Sequence, residues 1–436
     1  MSKSIKNQKA ILNKFGITQL HPMQEEAQLA IHSSSEVVLL SPTGTGKTLA
    51  FLLPIIAELD THCLEVQVLI LVPSRELAIQ IEQVAREMGT GFKINAAYGG
   101  QSFSKDRIHL KHRPAILIGT PGRIADHFRR NTFSKEKIKY LVLDEFDKSL
   151  EIGFESEMKE IVTALHQLQK KILTSATQEV VIPKFVGLTK PVEVNYLAEK
   201  IARLKIKIII SPSKDKLEIL VATLKHIGNQ PGIIFCNFKN SIQRVSNYLS
   251  ENNIAHACFY GGLEQQERER ALIKFRNGTH QLLIATDLAA RGIDIPEIKF
   301  IIHYQLPLKE HEFIHRNGRT ARVNEAGTAY VLKWEKENLP AFIPANEIEE
   351  LKEAAIPAKP IWKTLFISGG RKDKISKGDI AGLFFKQGQL KKDQLGVIEL
   401  KRDCAFVAVH ASEVNHLLSL VNNRRLKKKK IKVRLI

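Results

Sequence analysis

The chain is poor in cysteine. It has four in 436 residues, Cys63, Cys236, Cys258 and Cys404, far apart and without a CxxC pair. Such spacing supplies neither the clustered thiolates of a zinc site nor a disulfide framework. It suits a reducing compartment, so a cytoplasmic protein is expected. Also missing is any run of about 18 apolar residues, which excludes a membrane-spanning helix. The opening stretch MSKSIKNQKAILNKF is basic but lacks an apolar core and a small-residue cleavage site, so no signal peptide is expected. Acidic residues are scarce near the end of the chain: residues 361–436 hold 18 Lys and Arg against 6 Asp and Glu, and so carry +12 of the net +19. Charge alone fits a polyanionic partner and a lysine-rich solubilising surface equally well.

What is present is an alternation. Short, β-branched apolar runs occur at 37–41 (VVLLS), 68–74 (VLILVPS), 115–120 (AILIGT), 140–147 (YLVLDEFD) and 171–177 (KILTSAT). A second set lies at 232–237 (GIIFCN), 282–287 (LLIATD), 300–307 (FIIHYQLP) and 327–334 (GTAYVLKW), and helix-patterned segments separate several of these runs. Near-continuous apolar strands between helices are the mark of parallel sheets covered on both faces. The expectation is α/β: two tandem parallel-sheet domains, residues 1–195 and 205–335. Polar residues gather at the C-terminal ends of the runs, where open parallel sheets bind their ligands. A charged, proline-bearing linker is expected at 336–360. Residues 361–436 then read strand, helix, strand, strand, helix, strand, the split βαβ plan of a small α+β domain like the RNA-recognition domains.

Two stretches carry chemistry. SPTGTGKTLAF opens a helix after the first run and reads as a phosphate loop: Gly44 and Gly46 let backbone N–H groups approach phosphate, Lys47 reaches the terminal phosphates, and the Thr48 hydroxyl can ligate magnesium. Ser41 stands where the strict pattern wants glycine. The run LVLDEFDKSL ends in Asp144, Glu145 and Asp147, and three carboxylates together need a cation or donors nearby. Downstream of a phosphate loop, Asp144 is placed to hold magnesium and Glu145 to polarise the attacking water. HRNGRTAR sets Arg316, Arg319 and Arg322 three residues apart. That spacing fits either surface charge or arginines that stabilise a transferring phosphate. In the second case the site would be complete only on domain closure.

With these motifs in order, the chain resembles the DEAD-box RNA helicases over residues 15–335. The resemblance rests on FGITQLHPMQ, the phosphate loop, PSREL (73–77), YGGQ (98–101), TPGR (120–123), DEFD, SAT (175–177), IIFCN (233–237), QQER (265–268), ATDLAARGIDIP (285–296) and HRNGRTAR. It implies two RecA-like domains, ATP and Mg2+ as cofactors, and RNA as partner. It further implies that Gln24 reads the adenine and that Ser41, Thr43, Gly44, Thr45, Gly46, Lys47 and Thr48 hold the nucleotide. Asp294 would touch its ribose. By the same resemblance Lys47, Asp144, Glu145, Arg319 and Arg322 are catalytic, with Thr48 and Asp144 holding the metal partly through water. Asp147, Ser175, Thr177 and His315 would couple ATP to RNA. Arg75, Gly100, Thr120, Arg123, Gln265, Arg268 and Thr286 would grip sugar and phosphate. The chain departs from the family at Phe146, which replaces the usual alanine, at Ile17, where an aromatic often stacks on adenine, and at Asn317 and Ala321. The tail resembles the RNA-binding domain of the DbpA helicases, which implies targeting to large-subunit ribosomal RNA during ribosome assembly. There Phe366 and Phe406 fall where RNA-recognition strands present stacking rings, while Cys404 and Val409 replace aromatics of the usual signature. A monomer is expected.

Overall fold

A computed structural model describes residues 8–100, 102–177, 181–197, 204–287, 298–320, 326–344 and 347–436. The chain divides into two units, the first within residues 1–202 and the second beginning at 203.

The first unit is built on seven strands: β1 (Glu36–Leu40), β2 (Val68–Leu71), β3 (Ile94–Ala97), β4 (Ile116–Gly119), β5 (Tyr140–Leu143), β6 (Lys170–Ser175) and β7 (Val192–Asn195). They lie in the order β3-β4-β2-β5-β6-β1-β7, and every pairing is parallel. Alternate residues of one strand enter different cores: Val37 and Leu39 join one apolar cluster, Val38 and Leu40 another. This is why the strand reads as an unbroken apolar run. Fully burying a side chain such as Leu39 is worth about 1.5–3 kcal/mol.

The second unit holds β8 (Leu204–Ser211), β9 (Gly232–Phe235), β10 (His256–Phe259), β11 (Leu282–Ala285), β12 (Phe300–His303) and β13 (Gly327–Trp334). Their order is β10-β11-β9-β12-β13-β8, again all parallel. The apolar runs anticipated the interior strands of both sheets. The four strands absent from that reading, β3, β7, β8 and β10, are the edges of the two sheets. Two of these edges, β7 and β10, are covered less completely and lack a continuous buried apolar run. In β7 only Val194 is buried, and in β10 only Phe259.

The same unit carries a four-stranded antiparallel sheet with strands β14 (Trp362–Ile367), β15 (Leu395–Leu400), β16 (Ala405–His410) and β19 (Val433–Leu435), in the order β15-β16-β14-β19. A two-stranded ribbon of β17 (Arg425–Leu426) and β18 (Lys429–Lys430) precedes the last strand. One helix, Lys377–Lys386, starts at a reciprocal cap in which Ser376 Oγ accepts from the Asp379 amide and Asp379 accepts from the Ser376 amide. Leu365, Ile367, Val407, Val409, Phe384 and Leu417 form the core of this layer. Val409, one of the positions that departs from the aromatic signature, is thus a core residue.

The small sheet is fastened to the six-stranded sheet through the helix Gln265–Arg276. Arg276 makes a bidentate pair with Glu399 at 2.9 Å. Asn277 donates to Thr364 Oγ1 at 3.2 Å, and the Thr279 and Thr364 hydroxyls bond at 2.7 Å. Gly278 takes φ +70 beneath Trp362, and a Cβ there would lie 3.2 Å from the indole Cδ1. Burial pushes the Glu399 carboxyl up, but Arg276 and Lys401 outweigh it and hold it below the ordinary range.

Candidate nucleotide and nucleic-acid sites

In the first unit the phosphate loop follows β1 and runs into the helix Lys47–Ala57. Gly46 adopts φ +87, and a Cβ there would strike Gln24 Nε2. The left-handed backbone calls for glycine, and any side chain there would also displace the Gln24 amide. Gln24 spans two elements: its Nε2 donates to Gly46 O at 3.1 Å and its Oε1 accepts from the His21 amide at 3.0 Å. Ser41 and Thr45 share a 2.7 Å hydroxyl bond, and Thr45 also donates to Pro42 O at 2.9 Å. This accounts for Ser41 in place of glycine, since its side chain ties the loop to itself. Lys47 is buried and donates to Ser41 O at 2.5 Å and Pro42 O at 2.9 Å. Thr43, Gly44 and Thr48 lie on the same loop and helix start, partly or fully exposed.

The acidic strand end is two strands away from β1, with β6 between them. Asp144 is 3 % exposed, and its Oδ1 accepts from Thr174 Oγ1 at 2.5 Å. Burial, with Glu145 beside it, pushes the Asp144 carboxyl up to about 6, against the pull of the Thr174 hydroxyl and Lys47. Glu145 holds a left-handed backbone, φ 48 and ψ 48, at the start of the helix Phe146–Glu151. Asp147 has its own cation: Lys148 Nζ lies 3.5 Å from Asp147 Oδ2 and 3.0 Å from Glu151, with both Lys148 and Asp147 almost fully buried. The tolerance for a third carboxylate is met locally by the next residue. Thr177 Oγ1 donates to Asp147 Oδ2 at 3.3 Å, and the Ser175 hydroxyl donates to Thr177 O at 2.8 Å, so Asp147, Ser175 and Thr177 form one cluster. Phe146, 3 % exposed, belongs to the apolar cluster of Leu40, Leu71 and Leu143 and leaves the three acids in place. Ile17 packs against the other cluster.

A second group gathers beyond β3 and β4. Arg75 begins the helix Arg75–Glu87 and lies against the turn at Gly99 and Gly100, where a Cβ on Gly100 would strike the guanidinium. Arg123 Nε donates to Tyr98 O at 3.3 Å, and Thr120 caps the helix that carries Arg123. The structure thus brings Arg75, Gly100, Thr120 and Arg123 together. Asp106 lies 3.4 Å from Arg123.

In the second unit, Gln265 and Arg268 open the helix Gln265–Arg276, with Arg268 set 5.0 Å over the Phe259 ring, and Thr286 follows β11. Arg316 is 1 % exposed and fully engaged: it pairs with Asp287 at 2.6 and 2.7 Å and donates to Asn237 and Gln305 O. Of the three arginines in HRNGRTAR, this one is a structural strut. His315 and Arg319 are buried near the end of the same segment. Asn317 accepts from His303 Nε2 at 3.1 Å, and His303, held well below its ordinary range at about 3 by burial and then by Arg316, is neutral. The departure at Asn317 therefore has a partner of its own. Asp294, Ala321 and Arg322 lie outside the described residues.

On the small sheet, Phe366 and Phe406 face each other across β14 and β16 with ring centroids 5.7 Å apart, and Arg434 lies 5.0 Å over Phe366. Phe406 is 8 % exposed. Trp362 and Thr364, on the same face by strand alternation, are the residues that contact Asn277–Thr279. One end of the aromatic face is therefore occupied by the six-stranded sheet domain.

A glycine-lined loop that offers backbone N–H groups and a lysine to phosphate, with one strand between it and a buried carboxylate, defines the class: a phosphate-loop nucleoside triphosphatase carrying an added α+β module. Comparison with known proteins narrows this. The DEAD/DEAH box helicase family model matches residues 21–184, the helicase conserved C-terminal domain matches 215–324, and the DbpA RNA binding domain matches 364–435. The chain is 30% identical to the ATP-dependent RNA helicase DbpA of Escherichia coli K12, over 98% of this chain and 96% of that protein. It is also 30% identical to the protein of the same name from Bacillus subtilis 168, over 97% and 96%. The structure of Saccharomyces cerevisiae Dbp5 bound to RNA and ADP BeF3 superposes with a TM-score of 0.68 at 27% identity, covering 76% of this chain and 88% of that one. The chain belongs to the DEAD-box ATP-dependent RNA helicases, as a member of the DbpA type.

Proposed function

We propose that the chain uses ATP hydrolysis to open short RNA duplexes in large-subunit ribosomal RNA during ribosome assembly, acting as a cytoplasmic monomer. The supporting observation is the small basic domain, matched by the DbpA RNA binding domain and tied through Arg276–Glu399 and Thr364 to a helicase sheet. A targeting module is thereby joined to the ATP-driven core, and the division proposed is 1–195, 205–335, a linker at 336–360 and 361–436.

In this reading Gln24 and the loop from Ser41 to Thr48 bind ATP, with Asp294 on the ribose. The donor set suits magnesium, because Thr48 and Asp144 are oxygen ligands and Asp144 is buried with few opposing charges; the bound ion would neutralise phosphate charge. Glu145 orients and deprotonates the attacking water, and Arg319 and Arg322 stabilise the transferring phosphate. Asp147, Ser175, Thr177 and His315 relay nucleotide state to RNA binding. Arg75, Gly100, Thr120, Arg123, Gln265, Arg268 and Thr286 hold sugar and phosphate, contacts that carry little sequence information. Target choice then falls to the tail, with Phe366 and Phe406 among its contacts. The test is ATP hydrolysis stimulated by large-subunit ribosomal RNA, by an unrelated RNA of equal length and by DNA. Ribosomal RNA should stimulate most, and Lys47→Ala should abolish turnover. Equal stimulation by all three would overturn the ribosomal assignment, and undiminished turnover in Lys47→Ala would overturn the phosphate-loop assignment.

A further inference from the structure

Thr174 is a hydroxyl in the buried half of β6, which follows Ile172 and Leu173 with Thr174 and Ser175. It sits on β6 opposite Leu39, two residues after Ile172, and is fully buried. Ile172 and Leu39 both belong to one apolar cluster, so strand alternation places Thr174 on a face that calls for an aliphatic side chain. A hydroxyl there costs free energy unless it is bonded. It donates to one residue and accepts from the next. Its proton goes to Asp144 Oδ1 at 2.5 Å, and its oxygen accepts the Glu145 amide at 3.1 Å. The register explains the meeting: Leu143 pairs with Leu173, so the two residues just after the end of β5 arrive beside the next position of β6.

We propose that Thr174 is a positioning residue for the acidic pair, an inference that rests on reading Asp144 as the magnesium carboxylate and Glu145 as the base. Its donated bond fixes the Asp144 carboxylate with one oxygen already satisfied, leaving the other to serve the cation. Its accepted bond satisfies the amide of Glu145 while that residue holds its left-handed backbone, which a non-glycine residue adopts only at a cost. One hydroxyl thus fixes, from the adjacent strand, the Asp144 carboxylate and the backbone from which the Glu145 side chain extends.

The experiment compares Thr174→Val, which keeps the shape and removes the hydroxyl, with Thr174→Ser, which keeps the hydroxyl. ATP affinity is measured by equilibrium binding with magnesium and with EDTA, beside RNA-stimulated turnover. Thr174→Val should lose about tenfold in turnover and in the affinity gained on adding magnesium, in line with loss of a bond to a charged group, while its affinity in EDTA stays unchanged. Thr174→Ser should recover both. If Thr174→Val does not fold, the comparison is Thr174→Ala against Thr174→Ser, and equal magnesium responses in that pair would overturn the proposal. So would a Thr174→Val protein with the parent's magnesium response and turnover. Glu145→Gln separates the underlying reading: if that variant turns over ATP normally, the base assignment fails whatever Thr174 does.

Discussion

Asp144 shows what burying a single carboxylate costs. Its folded pKa is about 6 against an ordinary 3.8, so the folded protein binds a proton that the unfolded chain has already released between those values. Stability contributed at this residue therefore falls as pH rises from about 4 to about 6 and stays lost above it, a cost of about 3 kcal/mol at neutral pH. Asp144→Asn, which can still accept from Thr174, should raise the melting temperature of the nucleotide-free protein at pH 7.5 and change it little at pH 4. An equal shift at both pH values would show that the gain has another source. Lys148 has the opposite standing. Removing its charge in Lys148→Met takes away the cation that Asp147 pairs with among the described residues, and should destabilise the first unit by about 3 kcal/mol. Denaturant unfolding of the two proteins at pH 7.5 measures this, and a change of a few tenths would mean that the pair is not worth its burial.

Among the elements, the helix Gln265–Arg276 has two uses. Its first turn carries Gln265 and Arg268, proposed to hold RNA, and its last residue, with the turn after it, holds the small sheet through Arg276, Asn277 and Thr279. Arg276→Ala leaves Glu399 with Lys401 as its remaining partner, at 2.6 Å. Hydrogen exchange in the full chain should then show faster exchange over 362–367, with RNA-independent ATP hydrolysis unchanged. Unaltered protection of β14 would mean that Thr364 and Trp362 suffice to hold the sheet. The role of such a helix could not be read from its pattern, because its contacts with β14 and β15 join residues 85 or more apart. The strands were legible where they formed continuous β-branched apolar runs. β1, β2, β4 and β5 announce themselves as apolar runs, whereas β3, β7, β8 and β10 do not.

At the scale of the molecule, charge and chemistry are unevenly shared, with +12 of the net +19 in residues 361–436 and the phosphate loop and acidic pair in the first unit. Removing 361–436 should spare basal hydrolysis and erase preference for ribosomal RNA over an unrelated RNA of equal length. It should also flatten the dependence of log affinity on log salt, by about 0.7 for each phosphate of a single strand that the shortened protein no longer neutralises. Binding of full-length and truncated protein to both RNAs at several salt concentrations decides the matter. A truncated protein that keeps both its preference and its slope would place targeting in the core.

Local order was enough to establish the phosphate loop, the acidic strand end, two parallel sheets and a split βαβ tail. Each depends on backbone preference, apolar periodicity or a short run of residues that act together, and such information is contiguous in the chain. Pairings across the fold were not legible. Thr174 and Asp144 are 30 residues apart, Arg316 and Asp287 are 29, and Arg276 and Glu399 are 123. Arg316 and Arg319 looked alike in sequence, yet Asp287, Asn237 and the Gln305 carbonyl make Arg316 structural. A threonine in a buried strand likewise carries no mark of which carboxylate it will meet. Strand register brings those groups within hydrogen-bonding distance, and burial then makes each pairing matter, because an unsatisfied polar group in that interior would cost more than the bond returns in water.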